Sequence, residues 1–408
     1  MQKPTLFGYG LTTKAIANKL GGGCTFFDDN CQESYIDENN NTIKPSKEFN
    51  PKESTLEVTT PSLPPKHPLI QSAKNLLSEY DYFLNEKTSE TQAPFTIWIS
   101  GTNGKTTTTQ MLTHLLEKRG AVSGGNIGTP LANLDKNASI WVLESSSFTL
   151  HHTNIASPDI YLLLPITPDH LDWHKTAQAY EADKLKPLRT MKEGELALVP
   201  KGLNIPKTSA YVVEYDSDTF LCDYFSLDSS KLNYKGAFLQ DALLSLAITK
   251  VLFDEVDYDL LNHFQRDAHR QEEFKDAKNR LWVNDSKATN IDASIQAVKT
   301  YSDKHIYLIL GGDDKGVDLT PLFKQLQTLS LTLYTIGKNN DKLLALANDN
   351  NIDVIEAKTI DKAIEEIDTR HTLESIALLS PASASFDQFK SYKHRGETFM
   401  NLVKDLKK

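Results

Sequence analysis

A chain of 408 residues with a formal net charge of −10 is too long for one ordinary domain and too acidic for a general nucleic-acid binder. Its three cysteines, Cys24, Cys31 and Cys222, form no metal-type pair and suit free thiols in a reducing compartment. No stretch is apolar for long enough to span a bilayer, and the first residues lack the apolar run of a secretion signal, so no membrane insertion and a cytoplasmic location are expected.

In chain order, residues 5–7 read as a short strand. Gly8-Tyr-Gly10, a helix over about 12–20 and a strand over 24–27 follow. The Asn-rich stretch 29–51 reads mostly as loop, and the polar, aperiodic 86–94 as a linker. A strand at 95–100 leads into Gly101-Thr-Asn-Gly-Lys-Thr106 and a helix to about 119, closed by Gly120. Strands at 140–143 and 160–164 and helices at about 177–191 and 238–252 continue the alternation. Strands at 281–284, 305–310, 331–336 and 375–379, separated by helices, repeat it. Alternation of this kind predicts mainly parallel sheets with helices on both faces, in segments 1–92, 93–266 and 267–408.

Gly101, Thr102, Asn103, Gly104, Lys105, Thr106 and Thr107 lie between a strand and a helix, the setting a phosphate loop needs. Glycines let backbone N–H groups approach phosphate, and the helix N-terminus adds a favourable dipole. Lys105 is placed to reach the β- and γ-phosphates of ATP, and the Thr106 hydroxyl to bind Mg²⁺. Ile99 stands where the longer G-x-x-x-x-G-K-[ST] form has its first glycine, so this is a shorter variant. Glu144, directly after an apolar strand, is a candidate Mg²⁺ ligand, although a lone Glu there is more often a solvated strand end. Asp169, His170, Asp172 and His174 crowd another strand end, where parallel sheets bind ligands, but match no closed zinc pattern. Read alone, His174 is a surface histidine and Lys184 a solvated helix lysine.

These blocks, with Gly125-Asn-Ile-Gly128, Tyr180 to Lys184, His269-Arg270, Asn284 to Asn290, Leu310 to Lys315 and Leu379 to Phe389, together resemble the Mur ligases of peptidoglycan synthesis. The last three blocks resemble the members that add D-glutamate. The resemblance runs the length of the chain in order. It implies an α/β protein of three domains: an N-terminal Rossmann-like UDP-binding domain, a central P-loop ATPase-like domain and a C-terminal Rossmann-like domain. It also implies ligation of D-glutamate to UDP-N-acetylmuramoyl-L-alanine by way of an acyl phosphate, with ATP as co-substrate, by an enzyme expected to be a monomer.

On that resemblance, Thr106 and Glu144 hold one Mg²⁺ with the nucleotide, and His170, supported by Asp169, helps hold a second. Lys184 matches a carbamylated lysine, whose anionic oxygens suit a Mg²⁺ neighbourhood that would repel ammonium. Leu11, Thr12, Asp28, Asn126, Ser146 and His170 match contacts to the UDP substrate, and Arg270 and Asp285 contacts to the nucleotide base and ribose. Thr289, Lys315, Ser385, Phe386 and Tyr392 match the D-glutamate pocket. Asp241 departs from a usual Asn, Ser62 from a Gly and Tyr392 from a Phe.

Three other readings compete. Gly8-x-Gly10 with Asp28 resembles a dinucleotide fingerprint, but Thr13 occupies the third glycine position, and an oxidoreductase leaves Lys105, Glu144 and Lys184 without a task. A folylpolyglutamate synthetase would share the loop but not the 379–389 block. A non-catalytic nucleotide switch would bind ATP without amino-acid-dependent turnover. With its ligands spread over three segments, the ligase reading expects domain closure during catalysis.

Overall fold

The computed structural model describes residues 3–85 and 94–406, so the expected linker lies, apart from Pro94, outside the described residues. The chain forms two compact units. One comprises Met1–Asn233 with Asp241–His263, the other Tyr234–Gln240 with Phe264–Lys408.

The first unit holds two sheets of six strands. The first sheet contains β1 (Thr5–Phe7), β2 (Thr25–Asp28), β3 (Tyr35–Ile36), β4 (Thr42–Pro45), β5 (Glu57–Thr59) and β6 (Leu76–Leu77), in the order β3-β4-β2-β1-β5-β6. The stretch read as loop over 29–51 thus supplies the edge strand β3, its neighbour β4 and a 3₁₀ turn, Ser46–Glu48. The polar sequence hid them because edge strands need little apolar surface. The second sheet contains β7 (Phe95–Ser100), β8 (Ala121–Gly125), β9 (Ile140–Glu144), β10 (Ile160–Leu163), β11 (Leu196–Pro200) and β12 (Tyr211–Tyr215), in the order β12-β11-β10-β7-β9-β8. Every pairing in it is parallel. Within this unit, both oxygens of the buried Asp81 carboxylate take the backbone N–H groups of Asn154, Ile155 and Ala156, each at 2.8 Å. They fasten the helix Glu79–Leu84, which follows the first sheet, to the second.

The second unit is built on β13 (Glu272–Lys275), β14 (Leu281–Asn284), β15 (His305–Gly311), β16 (Leu331–Ile336), β17 (Asp353–Lys358) and β18 (Ser375–Leu379), in the order β13-β14-β18-β15-β16-β17. Only β13 runs antiparallel. Side chains alternate across a strand, so an unbroken apolar run can bury both faces. In β15, Ile306, Leu308 and Leu310 enter one core with Leu322 and Phe323, while Tyr307 and Ile309 enter the other with Ile364 and Phe399.

Leu308 is wholly buried in that central strand. Leu308→Ala is therefore expected to lower unfolding free energy by about 2–5 kcal/mol, measured as a shift in urea midpoint at unchanged slope.

Candidate active site

Parallel strands point their C-terminal ends the same way, and in the second sheet the ends of β7, β9 and β10 lie side by side. The chain leaves β7 toward β8 and β9 on one flank and later returns to place β10 on the other, a topological switch point where open α/β sheets bind ligands.

The phosphate loop follows β7. Gly101 has φ +146° and Gly104 φ +83°. A Cβ on Gly101 would lie 2.5 Å from Leu164 Cβ, and one on Gly104 2.7 Å from Asp241 Oδ1. Both glycines are required by space as well as by φ. Thr102 Oγ1 accepts from Thr167 N at 2.9 Å, donates to the Thr167 carbonyl at 2.8 Å and lies 3.1 Å from the Tyr180 hydroxyl. The loop is therefore clamped to the segment after β10. Lys105, the first residue of the helix Lys105–Leu116, curls back to donate to the carbonyls of Gly101 and Thr102 at 3.0 and 2.7 Å. Thr106 and Asn103 are half-buried beside it, and Thr107 is buried in the first helical turn.

Glu144 ends β9 and is only 3% exposed, so it is not the solvated strand end its sequence position suggests. Its Oε1 accepts from Asn126 Nδ2 at 2.6 Å, while Oε2 is buried with no hydrogen-bond partner. A buried, unpaired carboxylate oxygen carries a large desolvation cost, and a hard cation is the partner that offsets it. The residues present fit Mg²⁺ in this sense. Among the described residues no three His, Cys, Asp or Glu side chains form a metal cage. Ser146 sits beside Glu144 as the cap of the helix Ser147–His152, its Oγ accepting from Thr149 N at 3.1 Å.

Lys184 is 1% exposed, not solvated. Its Nζ donates to the Gly101 carbonyl at 2.7 Å and to Ser100 Oγ at 3.3 Å, and lies 4.7 Å from the Tyr180 ring centre. Burial, followed by the charge of Lys105, pushes its amine well below the usual lysine range. His170 has φ +53° and stays exposed. Its backbone N–H donates to Asp169 Oδ1 at 2.8 Å, and Nε2 is 3.6 Å from Asp169 Oδ2. Its ring is held below the ordinary histidine value by burial and by the charges of Lys105 and Lys184, against the pull of Asp169. His174 is buried, contrary to its reading as a surface residue.

The first sheet carries a separate cavity of about 260 Å³ at the ends of β1, β2 and β5, lined by Gly8, Asp28, Asn30, Ser46, Thr60 and Ser62 among others. Asp28 Oδ2 accepts from Tyr9 N at 2.7 Å. Thr13, which replaces the third fingerprint glycine, donates to the Gly8 carbonyl at 2.6 Å and accepts from Gly10 N at 3.3 Å, closing the turn with a hydroxyl. Leu11 and Thr12 begin the helix that follows, Leu11 being 64% exposed. Asn126 and Ser146, also expected at the substrate, lie beside Glu144.

In the second unit the ends of β14, β15 and β18 gather the remaining candidates. Asp285 is buried, accepting from Gln271 N at 3.1 Å and Ser380 Oγ at 2.8 Å. Burial pushes its carboxyl up to about 7, although Arg270 and Arg395 pull it down. The Arg270 Nε is buried and lacks a partner. Lys315, Thr289 and Phe386 are exposed, Ser385 is buried, and Tyr392 opens the helix Tyr392–Lys404. Sequence reading overlooked Arg395. It is 1% exposed and donates to Ser286 Oγ at 3.0 Å, the Ser286 carbonyl at 2.9 Å and the Ser383 carbonyl at 3.1 Å. Its signal was present, since position 395 shares a helix stripe with the buried Phe399 and Val403. It overlooked Tyr80 as well, whose hydroxyl donates to the Glu144 carbonyl at 3.2 Å from the first sheet's last helix.

Gly101→Ala is expected to abolish ATP binding in calorimetry, because the loop must leave Leu164 to admit a Cβ. For Asp285, a folded-state carboxyl near 7 binds protons that the unfolded chain, near the ordinary aspartate value of 3.8, has released. Stability should therefore fall as pH rises from about 4 to 7. The urea midpoint of the wild type relative to Asp285→Asn is expected to decline across that window and level off above it.

The sequence profile of the Mur ligase middle domain matches residues 99–221. The UDP-N-acetylmuramoylalanine–D-glutamate ligase of Campylobacter jejuni strain 81-176 is 47% identical over 404 residues, covering 98% of this chain and 99% of the relative. The enzyme of the same name from Helicobacter pylori strain 26695 is 44% identical over 419 residues, with 98% and 99% covered. Solved structures of UDP-N-acetylmuramate–alanine ligase from Thermotoga maritima (TM-score 0.55, 14% identity, 98% and 99% covered) and of MurF from Acinetobacter baumannii (TM-score 0.56, 17% identity, 76% of each chain) share the fold. With a phosphate loop, a buried strand-end glutamate and a buried lysine meeting at one switch point, and with that identity along nearly its whole length, the chain belongs to the UDP-N-acetylmuramoylalanine–D-glutamate ligase family of Mur ligases.

Proposed function

We infer that the chain is an ATP-dependent ligase that joins D-glutamate to UDP-N-acetylmuramoyl-L-alanine in peptidoglycan synthesis, releasing ADP and phosphate. The observation that carries this is the meeting of Lys105, the unpaired Glu144 carboxylate and the buried Lys184 at adjacent strand ends, in a chain that matches such ligases from end to end. On this reading residues 1–92 hold the UDP moiety, 93–266 hold ATP and 267–408 hold the incoming amino acid. The protein works as a cytoplasmic monomer, and no described helix is long and apolar enough to cross a membrane.

The first step brings the alanyl carboxylate against the γ-phosphate, two anions, so charge neutralisation governs the rate. Lys105 swings from its own loop carbonyls onto the phosphates, and the loop N–H groups orient them. Thr106, Glu144, His170 and a modified Lys184 would hold two Mg²⁺, which supply Lewis-acid neutralisation of the phosphate oxygens. A lysine buried beside another cation favours the unprotonated amine, which is the form that reacts with CO₂ to give a carbamate and a proton. The carbamate keeps one N–H, enough for the Gly101 carbonyl. The carboxylate oxygen then carries the phosphoryl group, and the amine of D-glutamate displaces phosphate from the acyl carbon. Lys315, Thr289 and Ser385 give that amino acid a cation and two hydroxyls, with Phe386 and Tyr392 at its rim. Arg270 and Asp285 serve the nucleotide base and ribose. Leu11, Thr12 and Asp28 serve the UDP moiety, and Asn126 and Ser146 its carboxyl end.

Phosphate release by the purified protein with ATP and UDP-N-acetylmuramoyl-L-alanine should require D-glutamate. Release with L-glutamate alone would overturn the stereochemical assignment, and ATP binding without either would point to a switch. Lys105→Ala should lose turnover by at least about 10³-fold. Lys184→Ala should be inactive yet partly restored by short-chain carboxylates, and mass spectrometry of native protein under CO₂ should show the added carbamate.

A further inference from the structure

One half-buried carboxylate near the reaction site has no task in the mechanism above. Asp183, the residue before Lys184, takes His174 Nδ1 on Oδ2 at 2.9 Å and His151 Nδ1 on both oxygens at 2.9 Å. The far side of His174, Nε2, meets Ser147 Oγ at 3.0 Å. The His174 side chain is fully buried, stacked on Phe148 with ring centres 5.6 Å apart and edge-on to Tyr180 at 5.2 Å. The two histidine donors hold the Asp183 carboxyl below its usual value in spite of its burial. A carboxylate oxygen accepts, so both imidazoles face Asp183 with N–H at Nδ1, while His174 Nε2 pairs with the Ser147 hydroxyl.

The arrangement Ser147–His174–Asp183 has the atoms of a nucleophilic triad, but burial of Ser147 and His174 keeps a substrate from Ser147. What the bonds do is join three elements. The helix Ser147–His152 follows Glu144, the helix Leu171–His174 follows His170, and the helix Ala177–Leu185 carries Lys184. Resting on the proposed ligase reading, we propose that Asp183 is a positioning residue that fixes Glu144, His170 and Lys184 relative to one another through His151, His174 and Ser147, and so sets the divalent-cation affinity of the nucleotide site. A carboxylate accepting from two separately anchored imidazoles locks both rings, and partners of this kind beyond the ligands themselves typically change metal affinity or activity by about 10–100-fold.

Asp183→Asn keeps the shape but sets an amide donor against an Nδ1–H. The test is calorimetric binding of ADP with Mg²⁺ and, separately, with EDTA. Asp183→Asn is expected to weaken the Mg²⁺-dependent part by about 10–100-fold and to leave metal-free binding within about two-fold. Ser147→Ala removes one hydroxyl and no charge, so it folds where the aspartate variant fails to, and it should shift the same quantity in the same direction by a smaller factor. In turnover, both variants should need more Mg²⁺ for half-maximal rate. Equal weakening with and without Mg²⁺ would make the network merely structural and overturn the proposal. So would unchanged Mg²⁺ dependence in either variant. If the wild type lacked D-glutamate-dependent turnover, the function would fall, whereas the ADP measurement would still judge Asp183.

Discussion

The absence of a side chain at Gly101 is the constraint on which the reaction site rests. The loop lies so close to the end of β10 that a single methyl group would overlap Leu164. That closeness brings the Gly101 carbonyl within reach of Lys184 and lets Thr102 bond across to Thr167 and Tyr180. A looser loop would still present N–H groups to a phosphate, but it would lose its register with the carboxylate of Glu144 and the amine of Lys184. Placement to within a fraction of an ångström separates a catalytic site from a binding site.

The electrostatics follow from that packing. Glu144 and Lys184 are buried at adjoining strand ends, and the half-buried Lys105 and the buried Lys184 both donate to the Gly101 carbonyl. Glu144 satisfies one oxygen through Asn126 and leaves the other bare. Burial, with the charge of Lys105 beside it, lowers the pKa of the Lys184 amine. A surface so arranged is poised for a divalent cation and a polyphosphate together, and each alone would leave part of the charge unbalanced.

Much of this was readable in the chain. Long apolar runs such as 305–310, 331–336 and 375–379 could be little else than buried parallel strands, and the strand–glycine–lysine–helix sequence named its own chemistry. Short or polar strands were not readable. Residues 35–36 form an exposed two-residue edge strand and 42–45 its short neighbour, where pattern is weak. Local sequence also misjudged Glu144, His174 and Lys184, because whether a polar side chain is buried depends on neighbours distant in the chain. Lys184 sits among Ser100, Gly101 and Tyr161, none within 20 residues of it, and only the family resemblance gave it a role beforehand.

The strand order of the second unit has a consequence for biosynthesis. β18, the last strand made, occupies the middle of its sheet, between β14 and β15. Until residues 375–379 leave the ribosome, those two neighbours expose unpaired edges to each other and to other chains. The second unit thus cannot close vectorially as it emerges, and a chain cut short before β18 would keep its phosphate loop while that sheet stays split down its centre.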